Sequence, residues 1–175
     1  MSSIEDEIDK RMSLWKLFSS KPKGDLHHKT DLADNFVMRG ERGIYRNKKI
    51  TQSIIPNDDG ITIAMRHTDG KYDDLLTSEN LIYRYPETDM KNHDEGEINS
   101  TKACMIYNIP IFIILKGNSR STKEVKIAWL VDFDDLNKIF FLEFLPPSST
   151  SSIPTKTSTT RAPFNLTGKA GTKIK

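Results

Sequence analysis

The chain has 175 residues, of which 36% are apolar and 29% charged, with a formal net charge of +2. That length suits one domain of ordinary size plus tails, and the low apolar share limits the core to a modest one. No apolar run approaches the roughly 18 residues of a membrane-crossing helix, and a single cysteine, Cys104, excludes an internal disulfide and a cysteine-built zinc knuckle.

Residues 2–19 are expected to form an amphipathic helix. Ser2 followed by Glu5 fits a capping box, and Ile4, Ile8, Met12, Trp15 and Phe18 recur at helical spacing. This helix either packs on the body or serves as a partner-binding face. Lys21-Pro22-Lys23-Gly24 ends it. Residues 25–41 carry no regular pattern. From Arg42 onward the apolar residues come in short runs broken by turns, as strands do. The expected strands are 43–46, 50–55, 61–65 and 81–85. Pro56-Asn57-Asp58-Asp59-Gly60 and Thr68-Asp69-Gly70-Lys71 are the turn signals between them. A polar loop is expected over 87–96 and a helix over 97–108. A buried strand follows over 110–115, and a closing hairpin pairs 125–133 with 138–144. Short strands at about ten-residue spacing suggest a curved sheet or barrel.

After Leu145 the composition changes. The last 30 residues hold twelve Ser or Thr, five Lys or Arg and no acid, so the rest of the chain carries about −3. Such a segment buries too little apolar surface to offset its ordering entropy. The domain reading is therefore an N-terminal helix over 1–24, one α+β domain over 25–145, and a disordered basic tail or linker over 146–175. The acidic N-terminus is unlike a secretory signal, which places the chain in the cytoplasm, or in the nucleus of a nucleated cell.

Catalytic signatures are weak. His27 and His28 lack metal-ligand partners at useful spacing, and neither His67 nor His93 has a second histidine or a cysteine near it in sequence. Cys104 lies in an apolar stretch with no histidine after it, as a buried structural thiol would. Glu124-Val125-Lys126 matches the Glu-x-Lys of Mg²⁺-dependent restriction nucleases, whose strand presents both side chains on one face. A solvated strand gives the same triplet.

The informative stretch runs from Gly60 to Pro86. A strand enters a Gly-containing turn, followed at once by Tyr72, Asp73 and Asp74. A second strand then ends in Tyr83-Arg84-Tyr85-Pro86. Aromatic faces replace the stacking that an extruded base loses, worth about 1–3 kcal/mol per base. A carboxylate is the natural acceptor for the N4 amine of cytosine. Tyr83 with Tyr72 or Tyr85 is expected to sandwich the base, and Asp74 or Asp73 to read its edge. Arg46, Arg66, Lys71 and Arg84 are candidates for the flanking phosphates. The bland reading makes the tyrosines core residues and the Asp pair a backbone cap.

This passage resembles the SRA (YDG) family of modified-cytosine readers, with Asp74 at the base-reading Asp and Tyr83 at the second stacking aromatic. Tyr72 falls one position out of register. A longer similarity, from about Arg42 to Phe144, is to the SRA-like domains that precede HNH nucleases in modification-dependent restriction enzymes. It rests on Arg42-Gly43-Ile44-Tyr45-Arg46, Tyr72-Asp73-Asp74-Leu75, Tyr83-Arg84-Tyr85-Pro86 and Asn108-Ile109-Pro110-Ile111-Phe112. Where the family continues its second aromatic with Thr-Gly, this chain has Arg84-Tyr85-Pro86. The resemblance implies a curved PUA-like β-barrel with flanking helices. It also implies flipping of 5-methyl- or 5-hydroxymethylcytosine from double-stranded DNA, with no cofactor, no metal and no catalysis by this chain. A fused or separate HNH nuclease and a second copy of the chain are the implied partners. The rival readings are a small Mg²⁺ nuclease using Glu124 and Lys126, and a protein-interaction adaptor.

Overall fold

The computed structural model describes residues 3–20, 27–35, 37–38, 43–55, 59–67 and 74–144. Helix α1 spans Ile4–Ser19. Its capping box lies one residue later than expected. The Ser3 hydroxyl accepts from the Asp6 amide and the Asp6 carboxylate accepts from the Ser3 amide, both at 3.0 Å. Trp15 and Phe18 are buried, as the apolar stripe predicts, but so are Glu7 and Arg11.

The remaining elements are β1 (His27–His28), α2 (Lys29–Asp34), β2 (Ile44–Tyr45), α3 (Lys48–Thr51), β3 (Ala64–Arg66), β4 (Leu75–Leu76), β5 (Asn80–Arg84), α4 (Lys91–Ile106), β6 (Ile111–Lys116), β7 (Thr122–Asp134) and β8 (Ile139–Phe144). They build a mixed α+β fold around one mixed sheet, in the order β2-β3-β6-β7-β8-β5-β4. Among the described residues only β3 and β6 run parallel, and β1 pairs with the start of β7. The 13-residue β7 is the spine. Its first half meets β6, its second half meets β8, and an irregularity in register between Leu130 and Asp132 lets the long strand bend.

The sheet is apolar on both faces, which is why β6 reads as a continuous apolar run. On one face Ile111, Ile113, Leu130, Phe140 and Leu81 pack with Ala103 and Cys104 of α4. On the other, Phe112, Ile114, Ile127 and Trp129 pack with Trp15, Phe18 and Leu32. The sheet curls around α4 far enough for the Tyr83 hydroxyl on β5 to donate to the Arg66 carbonyl on β3, at 3.1 Å.

The expected barrel is not closed. Among the described residues no backbone pairing joins β2 to β4, and each of these edge strands has only two residues. The expected strand over 50–55 is instead α3 and the turns after it. Ile50 and Ile54 are four apart, a spacing that fits a helical turn as well as a strand. The expected polar loop over 87–96 overlaps α4, which begins at Lys91; apolar periodicity misses this start because the inward face is largely polar, with Asp94, Glu97, Ser100 and Thr101 all buried. Gly60 has φ +76°, and a Cβ there would run into the Thr51 hydroxyl, so glycine is required where that turn closes. Residues 145–175, including the whole expected tail, lie outside the described residues. No helix among the described residues is long and apolar enough to cross a membrane.

A buried polar junction ties the layers together. Arg11 is 1% exposed. Its Nε donates to Glu7 Oε1 at 2.8 Å, and its Nη1 donates to the carbonyls of Thr62 (2.8 Å) and Pro110 (2.6 Å). Thr62 continues the network to the hydroxyls of Ser100 and Thr101 on α4, at 2.9 and 2.8 Å. The Cys104 thiol donates to the Thr62 carbonyl at 3.3 Å.

Removing one partner of a buried ion pair strands the other, at about 3–5 kcal/mol. Arg11→Ala should therefore lose about that much stability in urea unfolding. An Arg11→Met, Glu7→Leu double variant should recover only part of it, because it removes the unpaired charge but leaves the Thr62 and Pro110 carbonyls without the guanidinium. A loss below about 1 kcal/mol in Arg11→Ala would show that the junction does not hold the layers. A second test uses pH. Burial pushes the Cys104 thiol from its ordinary 9.0 up to about 11. The unfolded chain therefore releases this proton first, and stability should fall as pH rises from about 9 to 11, by roughly 2–3 kcal/mol. The Tyr85 phenol, also raised by burial and by Asp135, acts in the same direction at higher pH. Urea midpoints at pH 8 and pH 11 should differ less in Cys104→Ala, and least when Tyr85→Phe is added.

Candidate functional site

Two cavities open on either side of a short hydrogen-bonded wall. The wall is Asp74, which precedes β4. Its Oδ1 accepts from the Arg84 amide at 2.8 Å, and its Oδ2 lies 3.1 Å from His67 Nδ1. A carboxylate facing that nitrogen at neutral pH fixes Nδ1 as the protonated one. The Asp74 side chain is 2% exposed and that of His67 7%. The contact from Tyr83 to the Arg66 carbonyl runs alongside.

The first cavity, about 440 Å³, lies between β5, the segment that follows it and the first turns of α4. Four of the expected site residues line it: Asp74, Tyr83, Arg84 and Tyr85. It is acidic. Glu87, Asp89, Asp94 and Glu97 join Asp74 in its lining, against Arg84 and His93. The second cavity, about 400 Å³, is basic. Arg66, Lys116, Arg120 and Lys123 line it with His67, and no carboxylate is among the described residues around it.

The expected sandwich does not form between Tyr83 and Tyr85. Tyr83 lies on β5 and Tyr85 is the first residue beyond its end; two positions apart in extended chain, both rings enter the same core cluster rather than facing each other. Tyr85 packs on Phe140 with ring centroids 4.4 Å apart, and its hydroxyl donates to Asp135 at 2.8 Å. Lys102 holds the same carboxylate at 2.7 Å and, with Tyr85, keeps Asp135 below the usual carboxylate range. The two tyrosines are thus core residues whose surfaces form cavity wall. Tyr72, Asp73 and Lys71 lie outside the described residues. Arg46 lines neither cavity. Its Nη1 donates to the Asp59 carbonyl at 3.0 Å and lies 3.5 Å from the Asp59 carboxylate, a structural tie. Glu124 and Lys126 share one face of β7, but neither lines either of these two cavities, and the Lys126 ammonium sits 5.0 Å over the Phe144 ring.

Several residues at these cavities escaped the sequence reading. His93 and Glu97 are four apart on α4, with Nδ1 and Oε1 3.5 Å from each other. The spacing is visible in the sequence once the helix is known to start at Lys91. Lys116, Arg120 and Lys123 had a fainter signal, since no acid occurs between Glu97 and Glu124.

Asp74→Ala removes an acceptor from a buried amide and a buried imidazole, and should lower stability by about 2–4 kcal/mol in thermal or urea unfolding. Asp74→Asn, which retains one acceptor oxygen, should lose less. Equal, small losses in both would mean that the wall is not set by this carboxylate. No family model, no curated protein and no solved structure matches the chain.

Proposed function

We propose that the chain binds DNA and takes an extruded, amine-bearing base into the acidic cavity, with the neighbouring phosphates in the basic one. The observation that carries this reading is the shared wall: Asp74 and His67 are bonded to each other, yet one lines an acidic cavity and the other a basic one. A nucleotide has the matching polarity. Its phosphate needs Lys and Arg, and the N4 amine of cytosine needs a carboxylate. Both volumes lie within the usual range of about 300–1,000 Å³ for small-ligand sites.

The modified base on this reading is 5-methyl- or 5-hydroxymethylcytosine in double-stranded DNA, and the curled sheet is an SRA-like, PUA-type barrel left open at one seam. Side-chain bonds from Tyr83 and Asp74 cross that seam where backbone pairing would otherwise close it. Reading proceeds by hydrogen bonds to the base edge, with at most one ring of β5 under the base. The discriminating acceptors are Asp74 and the carboxylates on the opposite wall. The chain recognises and does not cut, and cleavage belongs to an HNH nuclease acting with it.

Fluorescence anisotropy on duplexes with one central cytosine, 5-methylcytosine or 5-hydroxymethylcytosine tests the reading at fixed salt. One modified duplex should bind at least several-fold tighter than the unmodified one. Equal affinity for all three would remove the reader function. Lys116→Ala and Arg120→Ala, both at exposed positions, should weaken binding uniformly and lower the slope of log affinity against log salt by about one each. An unchanged slope would move the phosphates elsewhere.

A further inference from the structure

We infer that the acidic cavity holds a divalent transition-metal ion on His93, Asp94 and Glu97. This inference does not rest on the DNA-binding reading. The three side chains each bring one ligand atom to within 4.8 Å of the other two. They come from the first two turns of α4, where positions four apart share a face. His93 Nδ1 and Glu97 Oε1 are already 3.5 Å apart. Two donors about 2.1 Å from one ion in a tetrahedral arrangement stand about 3.4 Å apart, so this pair needs almost no adjustment.

Asp94 is held in place by the segment before the helix. The Thr88 amide donates to its Oδ2 at 2.6 Å and the Thr88 hydroxyl to its Oδ1 at 2.7 Å. Each oxygen keeps a second lone pair, and outer-shell hydrogen bonds of this kind orient a ligating carboxylate. Asp94 and Glu97 are 6% and 8% exposed. Asp74, Glu87 and Asp89 line the same cavity and add to its negative field.

The donor set selects the ion. One imidazole and two carboxylates suit Zn²⁺ or Mn²⁺, whereas Mg²⁺ and Ca²⁺ prefer oxygen-only shells. Three protein ligands on a cavity wall leave at least one position for water or a ligand, as in sites that act on a bound molecule rather than in closed structural sites.

The test is isothermal titration of EDTA-treated, re-purified full chain with Zn²⁺ and with Mn²⁺, with thermal unfolding in parallel. One ion should bind per chain, with a melting temperature that rises with ion concentration, and Mg²⁺ should bind at least tenfold more weakly. His93→Gln and Glu97→Gln should each weaken binding at least tenfold, while a His27→Ala, His28→Ala double variant should bind as the parent does. Circular dichroism confirms that the variants are folded. Should a variant fail to fold, Asp94→Asn, which keeps one acceptor for the Thr88 amide while its NH2 group can donate to the Thr88 hydroxyl, replaces it. Absence of saturable binding by the parent overturns the site, and so does binding that survives both ligand substitutions. Neither result bears on the duplex affinities, which are measured without added metal.

Discussion

The fold depends on one buried cation. Arg11 projects from α1 into a junction where two chain segments expose carbonyls that the sheet does not use, those of Thr62 and Pro110. A buried carbonyl without a donor costs as much as a lost hydrogen bond. The guanidinium is suited to the position because it presents several donors in a rigid plane and stays charged. Glu7, one turn earlier on the same helix, balances that charge. The same Thr62 bonds to α4 through its hydroxyl and its carbonyl, so α1, the approach to β3 and α4 share one anchor. Since α4 carries one wall of the acidic cavity, the placement of that wall depends on the polar junction as well as on apolar packing.

The same fact explains which parts of the fold were legible. The hairpin of β7 and β8 and the buried β6 follow from alternation and apolar runs, and those signals gave their places to within a few residues. Helix α4 carries little such signal. Its buried positions include Asp94, Glu97, Ser100 and Thr101, so a search for apolar periodicity starts the helix too late. Arg11 reads as an ordinary solvated cation on an amphipathic helix, because nothing local reveals that two distant carbonyls await it. Barrel closure is illegible in the sequence for a related reason. Closure depends on the length and approach of the edge strands, and strands of two residues cannot be told from loop by pattern.

The site was legible in part. Tyr83, Arg84, Tyr85 and Asp74 do meet at one cavity, as their clustering suggested. Their roles shifted because β-strand geometry puts Tyr83 and Tyr85 on the same face, where both rings go to the core and Tyr85 ends on Asp135. The sequence showed aromatic and acid side by side but not which of them faces solvent. The opposite wall, from Glu87 to Glu97, was invisible for as long as it was read as loop.

The two cavities constrain each other. Asp74 and His67 are 3.1 Å apart, far inside the Debye length of about 10 Å at 0.1 M salt, so salt screens the acidic and basic linings from each other very little there. A simple polyanion is repelled by the acidic side and a simple polycation by the basic side. A molecule with an anionic group and a hydrogen-bond-donating group a few ångströms apart satisfies both. Occupancy of the His93, Asp94 and Glu97 cluster by a divalent ion would cancel much of the acidic field and add a Lewis acid to that wall. The cavity would then favour an oxygen-rich ligand over an amine. Whether an amine or an oxygen enters the acidic cavity thus comes down to the charge on one turn of α4.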